Sequence, residues 1–273
     1  MPEVGASGPD LITIQTAQPK LDLSPAPCPA SRTKPTSAVE IAAFRKRSAG
    51  PAVAVNMQVE IWSDVVCPWC YLGKRRFERA LDAFEHREAV EVVYRSFELD
   101  PSAPVGTTSP TVDVLAGKYG MSVDQAVDAQ RQMERRAAED GLTFRMDGLR
   151  SGNTRDAHRL VHLANAHGRQ AELVERLHRA YFTDQESVFD PGSLTDLAAD
   201  AGLDRAEVTR VLAGTDYADA VAADEATARS LGITGVPFFV LERRFGVSGA
   251  QPAEVLTQTL QRAWDELTAS ATS

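Results

Sequence analysis

The spacing of apolar residues divides this chain into four stretches: an unpatterned start, a strand–helix–strand unit, a long helical run and a closing strand–strand–helix unit. From Val59 to Val66 apolar and β-branched residues predominate, which predicts a buried strand over residues 57–66. Leu72, Phe77, Ala80, Leu81 and Phe84 then recur at helical spacing with charges between them, predicting a helix over 67–87. Ala89–Phe97 reads as a second strand. Leu99-Asp100-Pro101 and a Pro/Gly/Ser/Thr loop carry the chain on to Pro110.

Helical periodicity takes over at Thr111. Helices are expected over Thr111–Gly120 and Ser122–Gly141, the second opened by a capping box of Ser122 and Gln125. Asn153-Thr154 opens another, with His158, Leu160, Val161 and Ala164 following, and Gln170–Phe182 forms the next. Ser193 is expected to cap Leu194–Ala201, with Gly202 just past its end, and Asp204 to cap Arg205–Ala213. Asp216–Leu231 closes the run. A strand over Ile233–Leu241, entered through Pro237, a turn at Glu242–Arg244, a strand over Phe245–Ser248 and a helix from Pro252 to about Leu267 complete the chain.

The fold class is therefore α/β, in the order β-α-β, a helical block, then α-β-β-α. Residues 57–110 and 216–270 are expected to form one domain, and 111–215 an all-helical insertion. Residues 1–56, rich in Pro, Ser, Ala and Thr, are expected to be disordered or loosely attached, apart from a helical turn over Ile41–Arg47. Met57 stands just before the first convincing strand and is a candidate true start.

Composition narrows the function classes. With 43% hydrophobic and 25% charged residues, the 273-residue chain is ordinary globular material. A net charge of −9 argues against nucleic acid and anionic membrane surfaces as partners. No apolar run is long enough to span a bilayer. Three cysteines are too few for a secreted disulfide scaffold. The basic cluster Arg45-Lys46-Arg47 is followed by too short an apolar run for a secretory signal, so a cytoplasmic setting is expected.

The candidate chemistry lies in Cys67-Pro68-Trp69-Cys70, placed where a strand hands over to a helix. Unpaired backbone N–H groups and the helix dipole stabilise a thiolate at such a position. Pro68 is tolerated in the first helical turn, and Trp69 presents an apolar face beside the sulfurs. Zinc is the competing reading. It needs a second ligand pair at close spacing, and none is present, so no metal is expected. His162 falls one turn after His158 without a carboxylate pattern to complete a site. Cys28, in a proline-rich segment, reads as an idle thiol.

Five stretches, the first of them containing the cysteine pair, make a specific match. Ser63 to Cys70, Phe97-Glu98-Leu99-Asp100-Pro101, Ser151-Gly152-Asn153-Thr154 through His158-Arg159-Leu160, and Gly232 to Phe239 with Val247 to Gln251 together resemble the FrnE-type branch of the DsbA family. The resemblance covers roughly residues 57–267. It implies a thioredoxin-like fold and a thiol–disulfide oxidoreductase or isomerase. Cys67 then maps onto the exposed nucleophile, Cys70 onto the resolving thiol, Pro237 onto a cis-proline, and Val236 onto the residue whose backbone pairs with an extended substrate.

Asp64 and Glu98 are candidates to take the Cys70 proton, against a plain reading as capping or solvated carboxylates. Asn153, Thr154 and His158 are candidates to line the cleft, against a plain N-cap and helix. Substrates would be protein disulfides or small thiols. No cofactor is expected beyond the redox-active disulfide, with glutathione a candidate reductant, and the chain is expected as a monomer or homodimer. Two other readings stand beside this one. The first is a glutathione-dependent isomerase or transferase like the 2-hydroxychromene-2-carboxylate isomerases, which resemble this chain but use serine at the first cysteine position. The second is a non-catalytic peptide-binding or chaperone module.

Overall fold

The computed structural model describes residues 12–14 and 56–271. A five-stranded sheet organises them. Its strands are β1 (Ile12–Ile14), β2 (Met57–Ser63), β3 (Val90–Ser96), β6 (Phe238–Leu241) and β7 (Phe245–Ser248), in the order β1-β7-β6-β2-β3. β2 and β3 run parallel, in register from Met57 against Val90 to Ser63 against Ser96, and are joined by helix α1 (Pro68–Asp82). β6 pairs antiparallel with both β2 and β7. This is the mixed thioredoxin-like sheet that the element order predicts.

The tail is not wholly without structure. Ile12–Ile14 add to the sheet as a parallel edge strand against Phe245–Val247. Its Ile-Thr-Ile stretch has the strand alternation, but three residues are too few to stand out in a proline-rich context. The expected turn at Ile41–Arg47, Cys28 and the rest of the tail lie outside the described residues.

Helices α2 (Thr111–Tyr119), α3 (Val123–Glu139), α4 (Arg155–Ala166), α5 (Gln170–Arg179), α6 (Pro191–Asp200) and α7 (Arg205–Ala213) form the expected helical block. Helix α8 (Ala218–Ser230) returns to the sheet, and α9 (Ala253–Ala271) packs on α1. Capping sets these boundaries. Ser122 and Gln125 form the complete capping box of α3, and Asp204 caps α7. Helix α6 starts earlier than expected: Asp190 accepts from the Ser193 N–H at 3.0 Å, and Pro191 takes the first helical position. Helix α1 stops at Asp82, short of residue 87, and a 3₁₀ turn at Arg87–Ala89 leads into β3. Residues 233–237 form a loop, so β6 is shorter than the strand expected there.

A second small sheet is new. β4 (Thr108–Pro110) pairs antiparallel with β5 (Arg150–Gly152), tying the loop after β3 to the segment before α4. The core runs without a break between sheet and helical block. Tyr71 on α1 stacks on Phe144 at 5.6 Å and on His178 of α5 at 5.0 Å between centroids.

The sheet also buries a carboxylate that its apolar pattern hides. Glu60, only 1% exposed in mid-β2, accepts two bonds from Arg243 at 2.7 Å and one from Arg95 at 2.8 Å. A buried charge is tolerable when it is paired in this way.

Candidate active site

A turn and a helix start bring the two cysteines together. The Cys67 N–H donates to the Asp64 carbonyl at 3.1 Å, closing a turn at the end of β2. Cys67 is then the N-cap of α1, Pro68 fills the first helical position, and the Cys70 N–H donates to the Cys67 carbonyl at 3.0 Å. The two cysteines are 3.4 Å apart and both are free.

Across from them the Val236–Pro237 bond is cis, and the Cys67 Sγ lies 3.6 Å from the Val236 carbonyl oxygen, to which its thiol can donate. Gly73 allows this approach. A Cβ built there would lie 2.7 Å from Pro237 Cγ and 3.4 Å from Phe239 Cζ, so any side chain at residue 73 would push the proline loop off the helix. The sequence offered no local sign of this, because the clash is with a residue 164 positions away.

The thiols differ in setting. Cys67 is 4% exposed, contrary to the exposed nucleophile that the resemblance implies. It lines a cleft together with Thr234, Gly235 and Val236 of the proline loop. Cys70 lies deeper, and burial pushes its thiol well above the ordinary cysteine range. The adjacent Cys67 adds to that shift, and the Ser63 hydroxyl and the Asp64 backbone oppose it. Cys70 is thus held as a neutral thiol in this setting.

Asp64 organises the junction. Its side chain, 1% exposed, accepts from the Leu99 N–H at 2.7 Å and the Val66 N–H at 3.4 Å. His158 Nε2 lies 3.4 Å from Asp64 Oδ1 without making a hydrogen bond. The Asp64 carbonyl also meets the His178 ring at 3.3 Å.

The carboxylate of Asp64 is therefore spent on the β3 exit and the Cys67 turn. Glu98 is buried with Oε1 3.2 Å from Arg155 and Oε2 unpartnered. Burial raises its pKa, and Arg155 works against the rise. Neither Glu98 nor His158 lines the cleft. Asn153 does not line it either: it donates to the Ala103 carbonyl at 3.0 Å and accepts from the Arg155 N–H, fixing the loop that forms one wall. Thr154, Trp69, Pro68 and Val236 do line it.

Behind Cys70 sits an ionic group that sequence reasoning did not assemble, a buried lysine between two part-exposed carboxylates. Lys74, one turn further along α1, bonds Glu78 at 2.5 Å and also pairs with Glu175, which accepts from Tyr71 Oη at 2.8 Å. His178, beneath Tyr71, is fully buried. Burial and then Lys74 push its pKa down to about 4 from 6.5.

The unfolded chain takes up that proton as pH falls through 6.5, whereas the native state resists it down to about 4. Native stability contributed by His178 therefore declines as pH falls through this window. Between pH 7 and 5 the loss is expected to reach about 2 kcal/mol, visible as a falling urea midpoint. His178→Gln, which retains a donor toward Asp64, should flatten that slope. An unchanged slope would place the titration elsewhere.

Comparison with known proteins follows this geometry. The family model described as a DSBA-like thioredoxin domain matches residues 58–261. A probable DsbA oxidoreductase from Streptomyces coelicolor, known from its crystal structure, is 54% identical with a TM-score of 0.75. The match covers 77% of this chain and 91% of that one. The uncharacterized protein YwbO of Bacillus subtilis is 27% identical over 189 residues, 68% of this chain and 88% of its own. A putative protein disulfide isomerase from Nitrosomonas europaea shares the fold at 18% identity, with a TM-score of 0.61 over 77% of this chain and 98% of that one.

Proposed function

This chain belongs to the DSBA-like thioredoxin domain family, and on that premise we propose that it exchanges disulfides through Cys67 and Cys70. The observation that carries the reading is the pairing of two free sulfurs 3.4 Å apart at a helix start, with the Val236–Pro237 loop against the outer one.

In the reductive direction the Cys67 thiolate attacks one sulfur of a substrate disulfide, expels the other as a thiolate and forms a mixed disulfide. Cys70 then loses its proton, attacks Cys67 Sγ and releases the substrate thiol. Its raised pKa supports the order of these steps, because the deeper thiol is the poorer nucleophile until the mixed disulfide stands next to it. Substrate would lie along Val236, with the reducing equivalents drawn from a small thiol. We also propose a cytoplasmic setting, consistent with three cysteines in 273 residues. No helix among the described residues is long and apolar enough to cross a membrane.

Two cysteines in contact favour dithiol exchange over isomerase chemistry that dispenses with the first sulfur. The test is reduction of insulin by the protein with a thiol reductant. Precipitation of the insulin B chain well ahead of the reductant-only control is expected. A rate equal to that control would remove the proposal.

A further inference from the structure

The cleft in front of Cys67 is a cavity of about 750 Å³, within the range of sites for small molecules rather than extended surfaces. Its wall is mostly apolar, with Val114, Leu115, Met121, Met133, Leu149 and Phe182 among the residues that line it. Three of the hydroxyls that line it, those of Thr111, Ser151 and Tyr181, are already hydrogen-bonded within the protein. Ser151 Oγ bonds Thr111 Oγ1 at 3.0 Å, and Tyr181 Oη donates to the Arg150 carbonyl at 2.8 Å.

Two cations line the same cavity: Lys118 on α2 and Arg136 on α3. Neither makes an ion pair among the described residues. The Arg136 guanidinium lies 5.4 Å over the ring of Trp69, the residue between the two cysteines. Asp64 and Asp100 also face the cavity, but Asp64 is bound to backbone N–H groups and Asp100 accepts from Ser102. The formal charges balance, but both carboxylates already accept hydrogen bonds whereas neither cation is paired, so an entering acidic group meets cations free to bind it.

We propose that the cavity selects a small thiol or disulfide with an apolar body and a single acidic group, in preference to a polar thiol such as glutathione. This rests on the disulfide-exchange reading above. In one direction of exchange, a thiolate of such a dithiol attacks Cys67 Sγ of the Cys67–Cys70 disulfide. Cys70 leaves as a thiolate and takes up a proton. The partner's second thiolate then attacks its own mixed-disulfide sulfur and expels Cys67. Two electrons pass to the protein and the partner leaves as a disulfide.

The experiment uses the full chain, oxidised, mixed rapidly with dihydrolipoate or with its neutral amide, dihydrolipoamide, whose thiol chemistry is alike. Glutathione serves as the polar comparison. The acid is expected to react about tenfold faster than the amide, the scale of one charge-assisted contact. Joint Lys118→Glu and Arg136→Glu substitution should bring that ratio to about one. Should the double variant fold poorly, Lys118→Glu alone, at an exposed position, should still lower the ratio.

A wild-type ratio near one overturns the inference and leaves disulfide exchange standing, as does faster reaction with glutathione than with either lipoyl dithiol. No reduction of the protein by any thiol, dithiothreitol included, brings down the exchange reading and this inference with it.

Discussion

Cys67→Ser is expected to abolish disulfide exchange, by about a thousandfold or more, the scale on which an essential nucleophile is lost. Cys70→Ser should behave differently. Its Cys67 remains able to attack, so it should accumulate a mixed disulfide with substrate that mass spectrometry detects as an adduct on residue 67. The asymmetry follows from position. Cys67 is the residue that lines the cavity and meets the Val236 carbonyl, whereas Cys70 is buried behind it with its pKa raised. Both variants should keep their thermal transitions close to wild type, since serine is nearly isosteric. Adducts forming on Cys70 in Cys67→Ser at comparable rate would reverse the roles assigned here.

Asp64→Ala should have the largest effect on stability among the residues around the site, about 3 kcal/mol. It removes a buried carboxylate that accepts from Leu99 N–H and Val66 N–H, and charged hydrogen bonds of this kind are worth about 1.5–3 kcal/mol each. Urea denaturation reads the loss. Asp64→Asn retains an acceptor and should recover most of it.

The pair of variants also tests what the carboxylate does. Its oxygens are bound to the backbone, so Asp64→Asn should keep exchange within a few-fold of wild type. A folded Asp64→Asn protein without activity would mean that the carboxylate moves the Cys70 proton, and that its role is more than positioning.

What was legible in the sequence was local. The cysteine pair, Pro68 and the capping residues Ser122, Gln125 and Asp204 each act through neighbours within a turn, so their spacing carries their meaning. The cis bond before Pro237 was legible only through resemblance, since nothing local distinguishes it from an ordinary strand entry. Ser193 was the expected cap of α6, and Asp190, three residues earlier, holds that place. Pro191, suited to the first helical position, was the sign that the earlier one would win.

What was missed depends on contacts distant in sequence. β4 and β5 have no alternation and exist because they meet across some forty residues. Gly73 matters only because Pro237 lies against it. Glu60 sits in an apolar strand because Arg95 and Arg243 converge on it. Glu98 was a candidate to take the Cys70 proton and His158 to line the cleft, yet neither side chain is among those that line it. Cys67 was expected to be exposed, and it lines a cleft instead.

One measurement bears most directly on the whole account: equilibration of the protein in a series of thiol–disulfide buffers, with thiol content and intact mass read at each. The account predicts a single reversible two-electron transition, in which Cys67 and Cys70 lose two hydrogens together and regain them on reduction. Two thiols that remain free across the series, or that each take up a separate buffer thiol without joining, would contradict it.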